Sequence, residues 1–540
     1  MSQLNTRIQN KCDYEYKWLG ATTFIPKKGE LIVYLAEADE EGNIYEGVEI
    51  PANRKNGNDT YPYKHPRVKI GDGLTQVNDL PFVKESLSDF VVEVPQQSNT
   101  LVYTGEPQEP TWTGYNPEYM YMFNTTQGVD AGEYITSFGL TGNAIWTDGT
   151  SGVKQVKWSI QKASATLSAT ITSQAGATDN VSFCTIRNIP AVIKLSVKLM
   201  ADGKDYPFDI NKLTVSYEKP ASLSITRAES SLTCYAGTEE QQNQLLTLQY
   251  EDANINTNPY HLTFNNYVVG DRLHDCSWAT IQYAASKNIG QNYWEVGDTK
   301  NFNLKGAFGT YSGTGDNRVG ACIMGFNHTN GEQGVDQGIH FCLGAVLLTN
   351  GSVTQTCFCS ANYGSYTTTN NTSYFVMQPS TAVGGGWSKS HMRNNILGSS
   401  AETVETAPEG SLLKLLPDTL CKVLSKMTKY TYEGGSPSSS QVGSTEDYLP
   451  LLSEYEIFGQ AGYASSYEKT YCTLYDFYSN ANVKTRYDYS NRSSTRIWWT
   501  RTPSPFSIYN WIYVPAGNAT GGYTNYPYYI YGVAPLFKIS

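Results

Sequence analysis

The chain has 540 residues, which is enough for several domains, and it carries 39 Lys and Arg against 50 Asp and Glu, a net charge of −11. This acidic balance argues against a nucleic-acid-binding protein, which normally presents a basic surface. No apolar run approaches the roughly 18 residues that cross a membrane, so no membrane insertion is expected. With 41 tyrosines, 47 glycines and only 16% charged residues, the composition favours a mainly β, multi-domain protein with contact surfaces.

The cysteines and the N-terminal residues predict a reducing environment. The first 18 residues contain no apolar segment typical of a secretory signal, so we expect synthesis and folding in a cytoplasm. Ten cysteines are too few for a disulfide scaffold in a chain of this length. Cys357 and Cys359 lack the CxxC spacing of redox and zinc sites, and on a strand they would share one face. We therefore expect free thiols in a core.

The first predicted domain spans residues 1–83. An apolar, β-prone run at 31–35 is followed by a long polar loop at 37–64 and by a second strand at 67–70. Residues 84–99 are interpreted as a linker.

The next two predicted domains are antiparallel β-sandwiches at 100–163 and 164–262. Short β-prone segments such as Val156-Lys157-Trp158-Ser159-Ile160 alternate with turn signals such as Asp148-Gly149. This pattern is typical of antiparallel β-sandwiches, and the length suits two of them.

The last predicted domain, residues 263–540, is a compact α+β domain with long loops. One helix is predicted from an N-cap at Ser388 to a stop at Gly398. A second helix is predicted to begin near Pro417 and to align one apolar face, formed by Leu420, Val423, Leu424 and Met427.

Five short motifs stand out in the first domain. They are Thr6-Arg7-Ile8-Gln9-Asn10-Lys11, Trp18, Phe24-Ile25-Pro26-Lys27-Lys28-Gly29-Glu30, Lys69-Ile70-Gly71-Asp72-Gly73 and Asp79-Leu80-Pro81-Phe82. Together they resemble the N-terminal attachment module of phage tail fibres. The resemblance implies a small, usually trimeric β unit that anchors the fibre to a phage tail or baseplate protein through residues 1–83. The loop at 37–64 is an insertion relative to that pattern.

A second set of motifs lies in the first sandwich. It comprises Tyr103-Thr104-Gly105, Pro110, Asp130-Ala131-Gly132-Glu133-Tyr134, Trp146 and Trp158-Ser159-Ile160. These motifs resemble the immunoglobulin-like repeats of bacterial surface and phage proteins. The resemblance implies a spacer that carries no chemistry.

A third, ordered set of motifs runs through the last domain. It comprises Ser277-Trp278-Ala279-Thr280-Ile281, Tyr293-Trp294, Val296-Gly297-Asp298-Thr299, Gly325-Phe326-Asn327-His328, Ile339-His340-Phe341, Gly386-Trp387, Met392-Arg393, Asp447-Tyr448-Leu449, Trp498-Trp499, Arg501, Pro503 and Gly532-Val533-Ala534-Pro535. The set is similar to the C-type-lectin-fold variable domains of diversity-generating retroelements. The resemblance implies a C-type-lectin-like receptor-binding domain at 263–540, with a hypervariable patch near the C-terminus that binds the target cell.

Residues 502–531, called the window below, contain no Lys, Arg, Asp, Glu, Gln, Met or His. They are rich in Tyr, Asn, Ser, Thr and Gly, a composition typical of adaptable binding loops. Adenine-directed mutagenesis of AAC asparagine codons can produce these residue types but not Lys, Glu, Gln, Met or Trp. The window fits this restriction when Trp511 is interpreted as a fixed scaffold residue.

The window predicts a receptor-binding surface on a buried scaffold. Tyr513 lies between the core-like Ile512 and Val514, so alternation along a strand predicts that it faces outward. An aromatic β-core with tyrosine ladders is the alternative. The residues predicted to bind are Ser504, Phe506, Ser507, Tyr509, Asn510, Tyr513, Asn518, Thr520, Tyr523, Asn525, Tyr526, Tyr528 and Tyr529. The residues predicted to form the scaffold are Trp498, Trp499, Arg501, Gly532, Val533 and Phe537.

No catalytic residue, cofactor or metal is predicted. The six histidines show no paired metal spacing, and His328 and His340 are expected in core or loop-bracing positions. Glu454 and Glu456 are expected on a solvated strand or loop rather than in a hydrolase pair. The loop around Asp316 offers fewer oxygen ligands than calcium needs.

Taken together, these features predict a receptor-binding protein of a phage tail fibre, located at the fibre tip of the virion and synthesised in the host cytoplasm. Its partner would be a protein or a glycan of the host bacterial surface, and a homotrimer is expected because avidity multiplies weak contacts. The alternatives are a prophage-encoded or bacterial surface adhesin with the same binding head, and a glycan-degrading tail enzyme.

Overall fold

The computed structural model describes residues 11–14, 18, 20–35, 67–83, 90–142, 144–172, 180–186, 192–218, 223–312, 318–364, 374–434, 438–479, 484–517 and 519–540. The chain divides into two compact units. The first comprises Met1–Thr166, Met200–Lys204 and Glu251–Thr257, and the second comprises Leu167–Leu199, Asp205–Tyr250 and Asn258–Ser540. The protein is mainly β and multi-domain, as the composition predicts.

The first unit begins with a three-stranded sheet. Its central strand, Leu31–Leu35, pairs in parallel with Lys11–Tyr14 and antiparallel with Arg67–Ile70. A small core of Trp18, Ile32, Tyr34 and Val77 packs against it. The Lys69 ammonium lies 4.4 Å from the centre of the Phe82 ring and donates to the carbonyl oxygen of Val77 at 3.0 Å. The insertion at 37–64 and the motif residues 6–10 lie outside the described residues.

The rest of the first unit is built from short sheets around Met120, Phe138 and Trp146. The largest sheet has the strand order Leu101–Val102, Lys154–Gln161, Gly132–Leu140 and Met120–Asn124. Smaller pairs join Val91–Val92 to Ile145–Trp146, Gln96–Gln97 to Trp112–Thr113, and Ile255–Thr257 to the start of Ala163–Ile171. Residues 91–97 of the predicted linker thus contribute strands. The longer pairings of the largest sheet are antiparallel, as predicted, and three short pairings are parallel.

The second unit begins with two sheets. One has the strand order Leu223–Ala228, Ser231–Ala236, Val192–Ala201 and Ala163–Ile171, and the short strand Lys204–Asp205 also pairs with Val192–Ala201. The other has the order Asn180–Ile186, Tyr260–Val269, Gln241–Tyr250 and Leu213–Tyr217. Alternate residues of Val192–Ala201 are buried, as a half-buried strand requires. The predicted boundary at residue 262 falls inside the strand Tyr260–Val269.

The remainder of the second unit is organised by one large sheet. Its strands follow the order Thr299–Phe302, Val319–Thr329, Val335–Leu347, Val353–Cys357, Arg486–Asp488 and Thr495–Arg496. The C-terminal strand Leu536–Ile539 pairs with both Val335–Leu347 and Leu424–Ser425. Two smaller sheets are formed by Met427–Tyr432 with Val442–Asp447, and by Trp498–Pro503, Trp511–Val514 and Tyr523–Asn525.

The helices differ from those predicted. The helix beginning after Pro417 covers only Asp418–Cys421, because Leu424–Ser425 leaves it to pair with the C-terminal strand. Around Ser388 the chain forms a 3₁₀ turn, Trp387–Lys389, and a π-helix, Met392–Ile396, which ends before Gly398 at φ 69°. Ser388 is therefore not an N-cap.

The longest helix of the described chain, Trp278–Ser286, was not predicted. Its N-cap Ser277 accepts from the backbone N–H of Thr280 at 2.9 Å. The other α-helices are Leu412–Leu415, Glu454–Phe458 and Asp476–Ser479. The other 3₁₀ helices are Ile210–Lys212, Leu273–Asp275, Gly290–Asn292, Gly331–Gln333, Ser439–Gln441 and Ser466–Thr470. The helices in the described part of the chain are all too short or too polar to span a lipid bilayer.

Candidate binding surface

The window starts on a small antiparallel sheet whose strands are anchored in the core. Trp499 pairs with Tyr513 in its register, and Tyr513 pairs with Tyr523. Trp498, Trp499 and Trp511 are fully buried. The Trp511 indole donates to the carbonyl oxygen of Thr500 at 3.1 Å. The aromatic core therefore fixes the backbone from which the window loops extend.

The far end of the window is also buried. Val533 and Phe537 are 0% exposed, and the Phe537 ring stacks on Phe341 with centroids 4.9 Å apart. Gly532 lies so close to a neighbouring strand that a Cβ there would be 2.5 Å from the Cys357 sulfur. Glycine is the residue that permits this approach. Both ends of the window are thus held in the core.

Arg501, the residue before the window, is fully buried and paired. Its guanidinium forms an ion pair with Glu456, and Lys429 binds the same carboxylate at 2.9 Å. The Arg501 guanidinium also donates to the Thr431 hydroxyl at 2.9 Å and to the carbonyl oxygens of Leu451 at 2.9 Å and Tyr430 at 3.2 Å. The buried contact expected for Arg501 is what this geometry provides.

Two glutamates near Arg501 differ in their ionisation. Burial raises the pKa of Glu456, but Arg501 and Lys429 outweigh it and hold that pKa well below the ordinary value. Burial raises the pKa of Glu468 to about 8, and the opposing effect of Arg501 is smaller. The two cations therefore favour the charged form of Glu456, whereas burial favours the protonated form of Glu468.

The expectation of a solvated strand or loop at Glu454 and Glu456 is wrong. Both lie buried on the helix Glu454–Phe458, where Ser453 and Glu456 form a reciprocal capping box. Ser453-Glu454-Tyr455-Glu456 has the S-x-x-E spacing of such a box, so the sequence contained the signal for this helix. The contacts of both carboxylates are with backbone N–H groups and buried cations, which is a structural arrangement.

The structure places twelve of the thirteen predicted binding residues, and they lie at three depths. Phe506, Tyr509, Thr520, Tyr523 and Tyr526 are exposed, and Ser507, Asn510, Tyr513, Asn525 and Tyr529 are half-buried. Ser504 and Tyr528 are only 4% and 5% exposed, so the prediction that they face outward is wrong. Asn518 lies outside the described residues.

Local contacts explain the two buried positions. Ser504 closes the turn at 504–510, where its N–H donates to the Asn510 carbonyl oxygen at 3.0 Å and its hydroxyl accepts from the Phe506 N–H at 3.3 Å. Tyr528 follows Pro527, whose carbonyl oxygen accepts from the N–H of Met377 at 2.8 Å. This contact draws the chain inward at Tyr528.

The structure gathers the tyrosines into two groups. Tyr526, Tyr528 and Tyr529 stack with ring centroids 5.5 to 6.5 Å apart. Tyr513 and Tyr523 are 6.2 Å apart, and Tyr513 rests on the buried Trp499. Phe506 and Tyr509 lie in the separate turn at 504–510. The surface of the window is therefore aromatic and uncharged over a buried aromatic base.

Two exposed residues near this surface were not predicted. Ile508 is 56% exposed in the turn at 504–510, and alternation rules do not apply to a turn. Tyr463 is 37% exposed, and its ring centroid lies 6.2 Å from that of Tyr523. A contact across sixty residues leaves no signal in the sequence.

Two histidines and two cysteines that the sequence placed in a core are buried. His328 and His340 are buried, as predicted, and both contact Tyr475, His328 by ring stacking at 3.6 Å and His340 through the Tyr475 hydroxyl at 3.0 Å. Burial lowers the pKa of His328 to about 3. Cys357 and Cys359 are buried free thiols with sulfurs 3.8 Å apart, as predicted.

In the described ranges, no group of three or more His, Cys, Asp or Glu side chains is placed to hold a metal ion. Asp316 lies outside them.

No protein-family model matches the sequence, and no curated protein matches it with significance. Solved structures similar to parts of the chain include domains 4 and 5 of the S-layer protein SbsC, at 12% identity over 33% of this chain and 98% of that one, with a TM-score of 0.15. Domains from titin match at 9% identity over 33% of this chain and 66% of the titin fragment, with a TM-score of 0.18. A fragment of mouse cadherin-23 matches at 12% identity over 38% of this chain and 74% of the fragment, with a TM-score of 0.14. These scores are too low to bear on fold or function.

Proposed function

We propose that this protein is a receptor-binding protein of a phage tail fibre that attaches the virion to the host bacterial surface through the window. The observation that carries the proposal is an exposed, uncharged aromatic surface on a deeply buried base. Phe506, Tyr509, Tyr523 and Tyr526 are 42% to 77% exposed, whereas Trp498, Trp499 and Trp511 beneath the window sheet are fully buried. Exposed aromatic side chains in adaptable loops are typical of binding surfaces.

The remaining parts of the chain have supporting roles in this proposal. Residues 1–83 attach to a phage tail or baseplate protein, and the β domains that follow act as spacers. Residues 263–540 form a C-type-lectin-like domain whose window is diversified by a retroelement. Three copies assemble at the fibre tip, so weak contacts are multiplied by avidity. The protein binds and does not catalyse.

The test uses the labelled full-length chain and a panel of intact bacterial strains. We expect saturable binding to at least one strain and its loss in the Tyr523→Ala and Tyr526→Ala variants, whose folding should be unchanged. Absence of binding across the panel, or undiminished binding by both variants, would contradict the proposal. Release of soluble sugar from purified envelopes, abolished by one Asp or Glu substitution, would contradict the binding-only role.

A further inference from the structure

One buried carboxylate joins the window to a separate segment of the chain. Glu454 is fully buried in the helix Glu454–Phe458. Its Oε2 atom accepts hydrogen bonds from the backbone N–H groups of Tyr463 at 2.9 Å and Ala464 at 2.6 Å. Its Oε1 atom accepts from the backbone N–H of Gly522 at 2.9 Å. A single side chain therefore fixes the main chain of both segments.

The two segments meet at this carboxylate with no room for side chains. A Cβ on Gly522 would lie 2.6 Å from Oε1 of Glu454, and a Cβ on Gly462 would lie 3.0 Å from the same atom. Hydrogen bonds to an ionised carboxylate are roughly twice as strong as those between neutral groups. The junction is therefore a built contact that depends on a carboxylate and two glycines.

Each segment carries an exposed tyrosine directly beside this junction. Tyr463 is 37% exposed and Tyr523 is 52% exposed, with ring centroids 6.2 Å apart. The Tyr513 ring centroid also lies 6.2 Å from that of Tyr523, so Tyr523 neighbours both of the other rings. Two of these rings belong to the window, and the third comes from a segment sixty residues earlier.

We propose that Tyr463 belongs to the receptor-binding surface and that Glu454 is a positioning residue that aligns it with Tyr523. This inference rests on the proposed function, because it assigns a further part of the same surface. It extends that surface to a residue that lies outside the window.

The chemistry of the surface points to a protein epitope of low charge. Phe506 and Ile508 are 77% and 56% exposed and gain free energy only when an apolar partner covers them. The window offers no charged group to the hydroxyls of a glycan. A protein surface with apolar side chains is therefore the partner that fits.

The first experiment measures binding of the full-length chain to intact cells of a strain that the wild type binds. Tyr463→Ala should raise the half-saturating concentration about tenfold, as truncation of an interface anchor does, without moving the melting transition. Tyr121→Ala is the matched control, because Tyr121 is 48% exposed but belongs to the other unit. Wild-type binding by Tyr463→Ala would overturn the inference.

The second experiment tests whether Glu454 acts through Tyr463. Gln keeps one carbonyl oxygen, so Glu454→Gln can hold only one of the two segments. We expect about a tenfold loss of binding in the wild-type background and a much smaller further loss in the Tyr463→Ala background. Equal losses in both backgrounds would mean a merely structural role and would overturn the positioning claim. Early melting of Glu454→Gln would mean a structural role and would overturn the positioning claim, whereas Tyr463→Ala would still decide whether Tyr463 belongs to the surface.

The third experiment identifies the partner and separates the two proposals. Protease treatment of the cells should abolish binding, and periodate oxidation of their glycans should leave it intact; the opposite result would overturn the protein epitope. If Tyr523→Ala and Tyr526→Ala bind like the wild type, the proposed function itself is wrong. If they lose binding and Tyr463→Ala does not, only the present inference is wrong.

Discussion

Two adjacent stretches of the second unit have opposite chemistry. Arg501 is fully buried in a cluster of charged groups, and the window that begins one residue later is uncharged and reaches the surface. The partners of Arg501 are Tyr430, Thr431, Leu451, Glu456 and Cys472, all of which precede the window. The contrast teaches that the contacts of Arg501 do not depend on which side chains the window presents.

The largest expected effect is the loss of stability that follows when the buried cluster around Arg501 loses its carboxylate. Glu456→Ala leaves Arg501 and Lys429 buried without their shared carboxylate, so the free energy of unfolding should fall by about 3–5 kcal/mol. Urea denaturation followed by tryptophan fluorescence measures it. The control is Glu133→Ala, whose ion pair with Lys157 is 70% exposed on both sides and should contribute less than about 1 kcal/mol. Equal shifts for both variants would contradict the role of burial.

Next in size is the contrast between two neighbouring tyrosines. Tyr528 is 5% exposed and Tyr526 is 42% exposed. Tyr528→Ala should therefore lower the free energy of unfolding by about 3 kcal/mol through a core cavity, whereas Tyr526→Ala should change it by at most about 0.5 kcal/mol. Melting curves of the two variants test this. A stable Tyr528→Ala protein would show that the ring does not belong to the core.

Binding measurements test the exposed surface of the window. Tyr523→Ala and Tyr526→Ala should each cost about 2 kcal/mol of binding free energy, because large aromatic side chains dominate binding surfaces. Titration of labelled protein onto intact cells gives the affinity. If Tyr523 and Tyr526 belonged to the core, both variants would melt early, and the fraction that stays folded would bind with unchanged affinity.

The remaining effect is a pH dependence inside the charged cluster, which amounts to at most about 1.4 kcal/mol for each pH unit. Burial raises the pKa of Glu468 from 4.5 to about 8, so the folded chain keeps a proton that the unfolded chain releases. The Glu468 contribution to stability is present below pH 4.5 and is lost as the pH rises to about 8, with a slope of at most about 1.4 kcal/mol per pH unit. Glu468→Gln should remove this slope. Parallel stability curves for wild type and variant between pH 5 and 8 would contradict it.

Local patterns in the sequence predicted the core of this region better than its connections. Alternation correctly placed Ile512 and Val514 in the core, whereas Tyr513, which it predicted to face outward, is half-buried. Alternation could not predict the burial of Tyr528. The backbone hydrogen bond from Met377 to the neighbouring Pro527 joins residues 150 positions apart, which no local pattern shows.

Secondary structure was least predictable where distant strands compete. Leu424 fits the apolar face of a helix, but in the structure it pairs with Ile539 of the C-terminal strand and belongs to a sheet. The burial of Glu454 likewise depends on loops at 462–464 and 522 that no local pattern connects. Long-range pairing therefore explains both misplaced elements.

In the described part of the chain, the carboxylate of Glu454 binds only main-chain N–H groups, and this has a consequence for the proposed diversification. Such contacts persist with any side chain except proline at the donor positions, and the two other exceptions are Gly522 and Gly462, where a Cβ would lie 2.6 Å and 3.0 Å from the carboxylate. Glycine codons have no adenine in their first two positions, so adenine-directed mutagenesis leaves a glycine in place. Glu454 itself is encoded outside the window. Under the proposed diversification, exposed window positions would therefore change while the attachment of Gly522 to Glu454 stayed in place.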